Sequence, residues 1–219
     1  MPSVVWIILK VLFWIAVSFI GWLLLMRIIR RFIHTPAPAF IVRLLDSPQR
    51  RIMQPPAKVV GWIDIREEMW VLEIGPGPGT FTFEAARRTG EEGKVCAVDI
   101  QPAMVSKLNS KLQRKGISNV VARVASAYEL PFPDRTFDRV FMVAVLAEIP
   151  ERKRALLEFR RVLKDDGLLA VGELLPDPDF PRRQTVTRWC RDAGFEPLSE
   201  HGNILHYLLT FKKATAGTG

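Results

Sequence analysis

The stretch with the richest chemistry, residues 71–82, reads VLEIGPGPGTFT. Gly75, Gly77 and Gly79 follow an apolar run and precede a helical pattern, which predicts a tight turn whose backbone can approach a ligand closely. Their G-x-G-x-G order, followed by Thr, departs from the G-x-G-x-x-G fingerprint of dinucleotide-binding loops. Glu73 places a negative charge just before the glycines. That charge disfavours a pyrophosphate ligand and favours a cationic one.

A second acid follows the next apolar run. Asp99 ends KVCAVD, about where doubly wound folds hold ribose hydroxyls with a carboxylate. A solvated acid at a strand end is the alternative interpretation. Asp134 and Asp138 lie near a turn and a strand start in the predicted pattern, where structural roles are favoured over catalysis.

Short apolar runs alternate with amphipathic stretches from residue 70 onward. The runs show little polar alternation, which is typical of strands covered on both faces. They lie at residues 70–75, 94–100, 119–125, 137–146 and 168–175. Helical patterns lie between them, and Gly167 is predicted to stop the helix that begins near residue 151. This alternation predicts a doubly wound parallel sheet, and the turn HGN predicts a final antiparallel hairpin.

In these features the chain resembles the class I S-adenosylmethionine-dependent methyltransferases over roughly residues 58–213. The resemblance rests on the E-x-G-x-G-x-G loop, the acid of AVDI, the stretch ASAYELPFPDRTFDRV, and RRVLKDDGLLAVGE with its following hairpin. Within the class the chain is most similar to the group that contains the ubiquinone/menaquinone C-methyltransferases, whose members often read LPFPD-x-x-FD. The resemblance implies a Rossmann-like, mostly parallel seven-stranded α/β sheet ending in an antiparallel hairpin. It also implies S-adenosyl-L-methionine as the cofactor.

The resemblance further implies which residues hold the cofactor. They follow the glycine loop and the ends of the second, third and fourth strands: Glu73, Gly75, Gly77, Gly79, Asp99, Ile100, Ser126, Ala127 and Val143. The first four would surround the methionine part, Asp99 would bind the ribose, and the segment from Val143 to Leu146 would line the methyl-donor side. Ile100, Ser126 and Ala127 would border the adenine. Ser126 stands where many relatives carry Asp, which removes one ionic acceptor. Core packing is the alternative for Ile100 and Val143.

Fewer residues are candidates for catalysis than for cofactor binding. Methyl transfer from a sulfonium needs alignment and a dry pocket, and it needs a general base only if the acceptor arrives protonated. Many relatives have histidine where this chain reads AEIP, so Glu148 is the nearest candidate for a base or a substrate contact. A helix cap is its alternative role, and Glu173 is the second candidate.

No metal is implied, because the cysteines and histidines lack the spacing of metal ligands. Cys96 and Cys190 have no CxxC partner and lie far apart in sequence. We expect both to be reduced and buried.

Residues 4–26 form an apolar stretch interrupted only by Lys10. As a helix the stretch would be about 35 Å long, enough to cross a bilayer core of about 30 Å. Trp6 and Trp22 lie near its ends, where aromatic side chains favour the membrane interface. The stretch predicts one transmembrane helix, with a helix lying in the interface and a buried core helix as alternatives. By the positive-inside rule, the arginines that follow put the N-terminus outside and the catalytic domain in the cytoplasm.

The net charge of +8 is concentrated beside this stretch. Residues 27–58 hold seven basic side chains against one acid, Asp46, whereas residues 59–219 carry only +1. A nucleic-acid-binding domain carries its positive charge on the folded part, so the pattern argues against a nucleic-acid partner. The basic, proline-rich segment is expected either to lie on an anionic membrane surface or to form a solvated linker.

We therefore predict four segments: a transmembrane anchor at 1–26, a juxtamembrane segment that could supply a lid at 27–58, a methyltransferase domain at 59–213, and a disordered tail at 214–219. A lid so near the anchor implies an active site that opens towards the bilayer. The predicted acceptor is lipophilic: a lipid, a quinone, or a small apolar thiol or amine. The alternatives are a tethered protein that binds the cofactor without catalysis and a methyltransferase of membrane proteins. The sequence does not predict an oligomeric state.

Overall fold

The fold is that of a computed structural model of the chain, which describes residues 4–32, 54–175 and 180–215. The described residues contain a seven-stranded sheet with helices on both faces. The strands are β1 (Trp70–Ile74), β2 (Lys94–Asp99), β3 (Val120–Val124), β4 (Phe137–Val143), β5 (Leu163–Leu174), β6 (Phe195–Gly202) and β7 (His206–Lys213). The helices are α1 (Val4–Phe32), α2 (Pro56–Gly61), α3 (Thr82–Thr89), α4 (Pro102–Lys115), α5 (Arg152–Val162) and α6 (Arg183–Arg191), and a short 3₁₀ helix covers Leu146–Glu148.

The strand order is β3-β2-β1-β4-β5-β7-β6 in the described sheet. The first five strands pair in parallel, so they all end at one edge, which we call the carboxyl edge. Strand β7 pairs antiparallel with both β5 and β6. The predicted mostly parallel, Rossmann-like sheet with a closing hairpin is confirmed.

The core lies in two layers, one on each face of the sheet. Successive side chains of a strand point to opposite faces, and β1 illustrates the division. Val71 packs with the cluster that includes α2, α3 and α4, while Leu72 packs with the cluster that includes α5 and α6. Both side chains are fully buried, as expected for strands that read as continuous apolar runs.

The predicted role of Gly167 as a helix stop is wrong. Helix α5 ends at Val162, and β5 begins at the next residue. Gly167 lies inside β5 where the register with β4 shifts. A Cβ there would lie 2.8 Å from Leu163 Cδ1 and 3.1 Å from the Asp138 carbonyl oxygen. The glycine is required by this close approach of backbone at the bulge, which the sequence pattern does not distinguish from a helix end.

Helix α1 runs from Val4 to Phe32, past the predicted end of the apolar stretch at residue 26. Its side chains are described from Val4 to Phe19 and at Gly21, Trp22 and Leu25. The large apolar side chains among them are 40% to 72% exposed. Within the described residues, no helix qualifies as long and apolar enough to cross a membrane. The predicted transmembrane helix is therefore not confirmed.

Two of the predicted segments lie partly outside the described residues, whereas both cysteines lie within them. Most of the predicted juxtamembrane segment, residues 33–53, lies outside the described residues, as do residues 216–219 of the predicted tail. Cys96 and Cys190 are buried free thiols, as predicted.

A buried arginine ties the segment before β1 to the sheet. Arg139 of β4 donates from Nε to the carbonyl oxygens of Ile63 (3.1 Å) and Asp64 (3.2 Å). It donates from Nη1 to the Asp138 carbonyl at 2.8 Å. Its Nη2 also lies 3.0 Å from the Asp64 carboxylate. These contacts fix the backbone at Asp64, whose φ of 57° is in the left-handed region.

We predict that Arg139→Ala lowers the free energy of unfolding by about 3–5 kcal/mol, because it leaves buried carbonyl groups without their donor. Arg66→Ala is the matched control, since Arg66 binds the same Asp64 carboxylate while its own side chain is 71% exposed. The control should change stability by less than about 1 kcal/mol. Urea unfolding followed by circular dichroism measures both variants. Equal effects would show that Arg139 contributes only a surface ion pair.

Candidate functional site

A cavity of about 340 Å³ opens at the carboxyl edge of the sheet. Its walls come from the loop after β1, the residues that follow β2 and β3, and the segment after β4. Seven of the nine residues predicted to bind the cofactor line it: Gly75, Gly77, Asp99, Ile100, Ser126, Ala127 and Val143. Four separate strand ends thus bring together residues that are far apart in sequence. This is the position at which doubly wound sheets bind ligands.

The glycine loop forms the floor of the cavity because two of its glycines leave no room for a side chain. A Cβ on Gly75 would lie 2.6 Å from Val145 Cγ2, and one on Gly79 would lie 2.7 Å from Leu108 Cδ1. Both residues also have positive φ, which favours glycine. Gly77 has nothing within 4 Å of the position of a Cβ, so its backbone borders open space. The loop can therefore bring its peptide groups next to a ligand.

Asp99 is a buried carboxylate in the cavity lining. It is buried at the end of β2 and accepts a hydrogen bond from the Gln101 backbone N–H at 2.9 Å. Burial raises the pKa of Asp99, while hydrogen bonds from the backbone N–H groups of Gln101 and Gly77 act in the opposite direction. These bonds orient the carboxylate within the cavity wall, where it can accept hydrogen bonds from ligand hydroxyls.

Glu73, predicted to lie near the methionine part of the cofactor, is not among the residues that line the cavity. Its side chain is buried beneath the glycine loop and accepts a 2.6 Å hydrogen bond from Thr82 Oγ1 at the start of α3. Burial is the main cause that raises the pKa of Glu73 to about 8, against the lowering effect of the Thr82 hydrogen bond and with a smaller contribution from the nearby Asp99. The predicted negative charge is therefore largely neutralised at pH 7. Gly79 also lies outside the cavity lining, packed against α4 and Phe83.

The other predicted cofactor-binding residues line the far wall. Ile100 projects from the end of β2 and is 60% exposed, so plain core packing does not explain it. The Ser126 hydroxyl accepts a 3.2 Å hydrogen bond from the Tyr128 backbone N–H, which shapes the turn after β3. Val143 is buried and lines the cavity at the end of β4. Leu146 was predicted to line it too, but this side chain is in the core beneath.

The two candidate catalytic acids differ in position. Glu148 ends the short 3₁₀ helix after β4, is exposed, and lines the cavity. Glu173 is completely buried in β5 opposite Tyr207 and does not line the cavity. Only Glu148 of this pair can meet a molecule in the cavity. Among the described residues, no group of three or more His, Cys, Asp or Glu could hold a metal ion.

Sequence reasoning missed several residues of the site. Tyr128 lines the cavity, its hydroxyl accepts a 3.2 Å hydrogen bond from the Glu151 N–H, and its ring lies 5.0 Å below the Arg154 guanidinium. Met104 and Phe81 add apolar surface from the starts of helices α4 and α3. Ala144 also lines the cavity, with an unusual φ of 58°. A positive φ at a non-glycine residue leaves no mark in the sequence.

Comparison with known proteins assigns the family. The methyltransferase domain family matches residues 65–212 of the chain. The chain belongs to this methyltransferase domain family.

Individual relatives agree with that assignment. The ubiquinone/menaquinone biosynthesis C-methyltransferase UbiE of Idiomarina loihiensis is 39% identical over 110 residues, which is 50% of this chain and 44% of that protein. The Bordetella avium protein of the same description is 38% identical over 117 residues, 53% of this chain and 45% of the relative. The chain thus matches less than half the length of these relatives.

Solved structures extend the similarity to the whole sheet. An S-adenosylmethionine-dependent methyltransferase from Aquifex aeolicus superposes with a TM-score of 0.77 at 26% identity, covering 82% of this chain and all of that one. The [4+2]-cyclase SpnF superposes with a TM-score of 0.67 at 20% identity, over 78% of this chain and 83% of its own. The second match shows the fold alone, and fold does not fix the reaction.

The cofactor of this domain is S-adenosyl-L-methionine, and the cavity suits it. The backbone of the glycine loop and the Asp99 carboxylate offer the polar contacts that a nucleoside with ribose hydroxyls needs. Ile100, Met104 and Phe81 offer apolar surface for an adenine ring. Glu73 is largely neutral beneath the loop, so Asp99 is the buried carboxylate that a cofactor in the cavity would meet.

We predict that Asp99→Ala weakens binding of S-adenosyl-L-methionine by about 10- to 100-fold, the loss expected for a charge-assisted hydrogen bond. Asp134→Ala is the control, because Asp134 is exposed and pairs with Arg161 away from the cavity. Isothermal titration calorimetry measures both dissociation constants. An unchanged constant for Asp99→Ala would remove Asp99 from the binding site.

We predict that Glu73→Gln stabilises the protein more as the pH rises. The folded state holds the Glu73 proton up to about pH 8, whereas the unfolded chain releases it near pH 4.5. The wild type therefore loses stability between these pH values, by up to about 1.4 kcal/mol per pH unit, and the Gln variant does not. Urea unfolding of both proteins without cofactor measures the difference in their free energies of unfolding. The measurements are made at about pH 5.0, 6.5 and 8.0, within the range set by the two pKa values. Parallel pH profiles would show that Glu73 is ionised in the folded state.

Proposed function

We propose that this protein is a membrane-attached methyltransferase that transfers the methyl group of S-adenosyl-L-methionine to a lipophilic acceptor. The observation that carries the proposal is the apolar surface of α1, joined in one chain to a methyltransferase domain. The large apolar side chains described on this helix are 40% to 72% exposed. Such a surface is favourable only when lipid or another apolar partner covers it.

Membrane attachment would use residues 4–26, with the basic segment 27–58 on the bilayer surface. Seven basic side chains lie in that segment, and cations next to an apolar helix are attracted to anionic headgroups. We place the N-terminus outside and the domain in the cytoplasm, following the positive-inside rule. Alkaline carbonate washing of membranes distinguishes the two modes of attachment. A spanning helix resists the wash, whereas a helix lying in the interface is released.

The proposed class of methyl acceptor is supported by the descriptions of the matched relatives. The matched UbiE proteins are described as ubiquinone/menaquinone biosynthesis C-methyltransferases, and the match covers about half of this chain. A quinone ring on an apolar tail is also a molecule that partitions into the bilayer where α1 would lie. We therefore propose a quinone-like ring as the first acceptor to test, ahead of other lipids and small apolar thiols or amines.

Different residues of the cavity would contact the cofactor and the acceptor. The backbone of Gly75 and Gly77, with Asp99, would hold the cofactor, while Ile100 and the Ser126–Ala127 turn would border its adenine. Val143 would line the side that faces the acceptor. When bound, the cofactor would supply a sulfonium methyl group: a nucleophilic atom of the acceptor, in line with the carbon–sulfur bond, would bond to the methyl carbon as that bond breaks and the neutral thioether leaves. The protein then contributes chiefly alignment and the exclusion of water.

Glu148 is the residue proposed to act on the acceptor. It lines the cavity at the end of β4 and is exposed, so a bound acceptor could reach its carboxylate. If the acceptor arrives with a proton on the attacking ring system or its hydroxyl, Glu148 would take that proton as the general base.

The test uses S-adenosyl-L-methionine with an isotopically labelled methyl group and the full chain in native membranes. We expect label in the lipid extract, in a species that mass spectrometry identifies by its mass increase. Glu148→Gln should lower the rate by about 10²- to 10⁴-fold while leaving the dissociation constant of the cofactor nearly unchanged. Glu129→Gln is the control, an exposed acid on the neighbouring turn that does not line the cavity.

Three results would contradict parts of this proposal. Label in the protein fraction would indicate a methyltransferase of membrane proteins. Cofactor binding without any labelled product would indicate a tethered binding protein. An equal rate for Glu148→Gln and wild type would remove the general base.

A further inference from the structure

The tip of the β6–β7 hairpin presents two large apolar side chains to solvent. Ile204 is 78% exposed and Leu205 is 47% exposed. Outside α1, Ile204 is the most exposed large apolar side chain among the residues the structure describes. Hairpin turns normally carry small or polar residues, so this pair calls for a physical reason.

Hydrogen bonds hold the tip in the conformation that exposes these side chains. The Asn203 side-chain oxygen accepts from the backbone N–H groups of Leu205 (2.8 Å) and His206 (3.1 Å). The Leu205 carbonyl accepts from the Leu175 N–H at 2.7 Å. Arg183 donates to the Asn203 carbonyl at 2.6 Å. These bonds hold the backbone of the turn in the conformation in which both apolar side chains are exposed.

The tip lies at the same edge of the sheet as the cavity. His206 pairs with Leu174 at the end of β5, which places the tip at the carboxyl edge. Val124, at the end of β3, is also an exposed apolar residue at this edge and does not line the cavity. The tip and Val124 lie towards opposite ends of the strand order, with the strand ends that form the cavity between them.

Aromatic rings and cations surround the tip. Trp62 stacks on His201, with centroids 5.5 Å apart, and on His206, with centroids 5.9 Å apart. The Lys58 Nζ lies 5.5 Å from the centre of the Trp62 ring. Arg183 forms an ion pair with Glu200 at 2.7 Å. Amphipathic rings and cations around an apolar tip are typical of a surface that enters the headgroup layer of a bilayer.

We propose that the hairpin tip is a second membrane contact, which inserts Ile204 and Leu205 into the interfacial layer of an anionic bilayer. This contact rests on the membrane attachment proposed above and specifies which face of the domain meets the lipid. With the tip inserted, the carboxyl edge faces the bilayer, and a lipophilic acceptor enters the cavity from the membrane rather than from water.

The test attaches an environment-sensitive fluorophore to Ile204→Cys in the full chain, reconstituted in vesicles of phosphatidylethanolamine and phosphatidylglycerol. Cys96 and Cys190 are buried, so labelling is directed to the new thiol. Glu92→Cys is the matched control, an exposed residue before β2 at the opposite edge of the sheet. We expect a blue shift and strong quenching by nitroxide-labelled lipids at position 204, and neither at position 92.

The outcomes separate this inference from the proposed function. A chain that floats with the vesicles but shows equal quenching at both positions would overturn the hairpin contact alone. A chain that does not float with the vesicles would overturn the membrane attachment as well.

A functional readout uses the double variant Ile204→Asp and Leu205→Asp. Turnover of a quinone embedded in the same vesicles should fall about tenfold, because apolar burial at the interface is lost. Turnover of a detergent-solubilised quinone and the affinity for the cofactor should not change. Leu157→Asp is the control, an exposed apolar residue on α5. A loss that is equal in vesicles and in detergent would contradict the proposal.

Discussion

The contact between Gly75 and Val145 is the constraint on which the site depends. A single Cβ at residue 75 would come within 2.6 Å of the Val145 side chain, so the turn after β1 can close against the segment after β4 only if it lacks a side chain there. That closure gives the cavity its floor and one wall at once. The remaining walls follow from the parallel register, because β2 and β3 end at the same edge as β1. The shape of the cavity is thus a consequence of backbone packing more than of side-chain chemistry.

Much of this arrangement could be read from the sequence, and the failures have physical causes. The strands were predictable because residues covered on both faces read as uninterrupted apolar runs. The burial of Glu73 was not predictable because a motif gives the order of residues and not the face to which each one points. In β1 the alternation sends Glu73 towards Thr82 beneath the loop, where burial rather than a ligand determines its charge. Gly167 was misassigned because a glycine at a bulge and a glycine after a helix look alike in sequence.

Contacts between distant residues were the hardest to foresee. Trp62 precedes the sheet in sequence, whereas His201 and His206 lie in its last two strands, yet their rings stack. Sequence periodicity does not relate residues that far apart. The aromatic group beside the hairpin tip can therefore be recognised only from the strand order, in which β7 lies next to β5. Tyr128 was missed for the same reason, because its hydroxyl bonds to the backbone of Glu151, which lies in another part of the sequence. By contrast, the place of Asp99 in the cavity was predictable, because an acid that ends the second parallel strand lies at the edge of the sheet where doubly wound folds bind ligands.

The strand order also constrains how the protein is made. In the described sheet, β6 pairs with β7 alone, and β7 separates it from β5. During synthesis β6 therefore emerges before the strand that joins it to the sheet. Until His206–Lys213 has left the ribosome, β5 has one open edge with unpaired backbone groups, and such edges pair readily with other chains. A nascent chain interrupted just before β7 would be a template for aggregation, so protection by a chaperone is most needed over this short interval of translation.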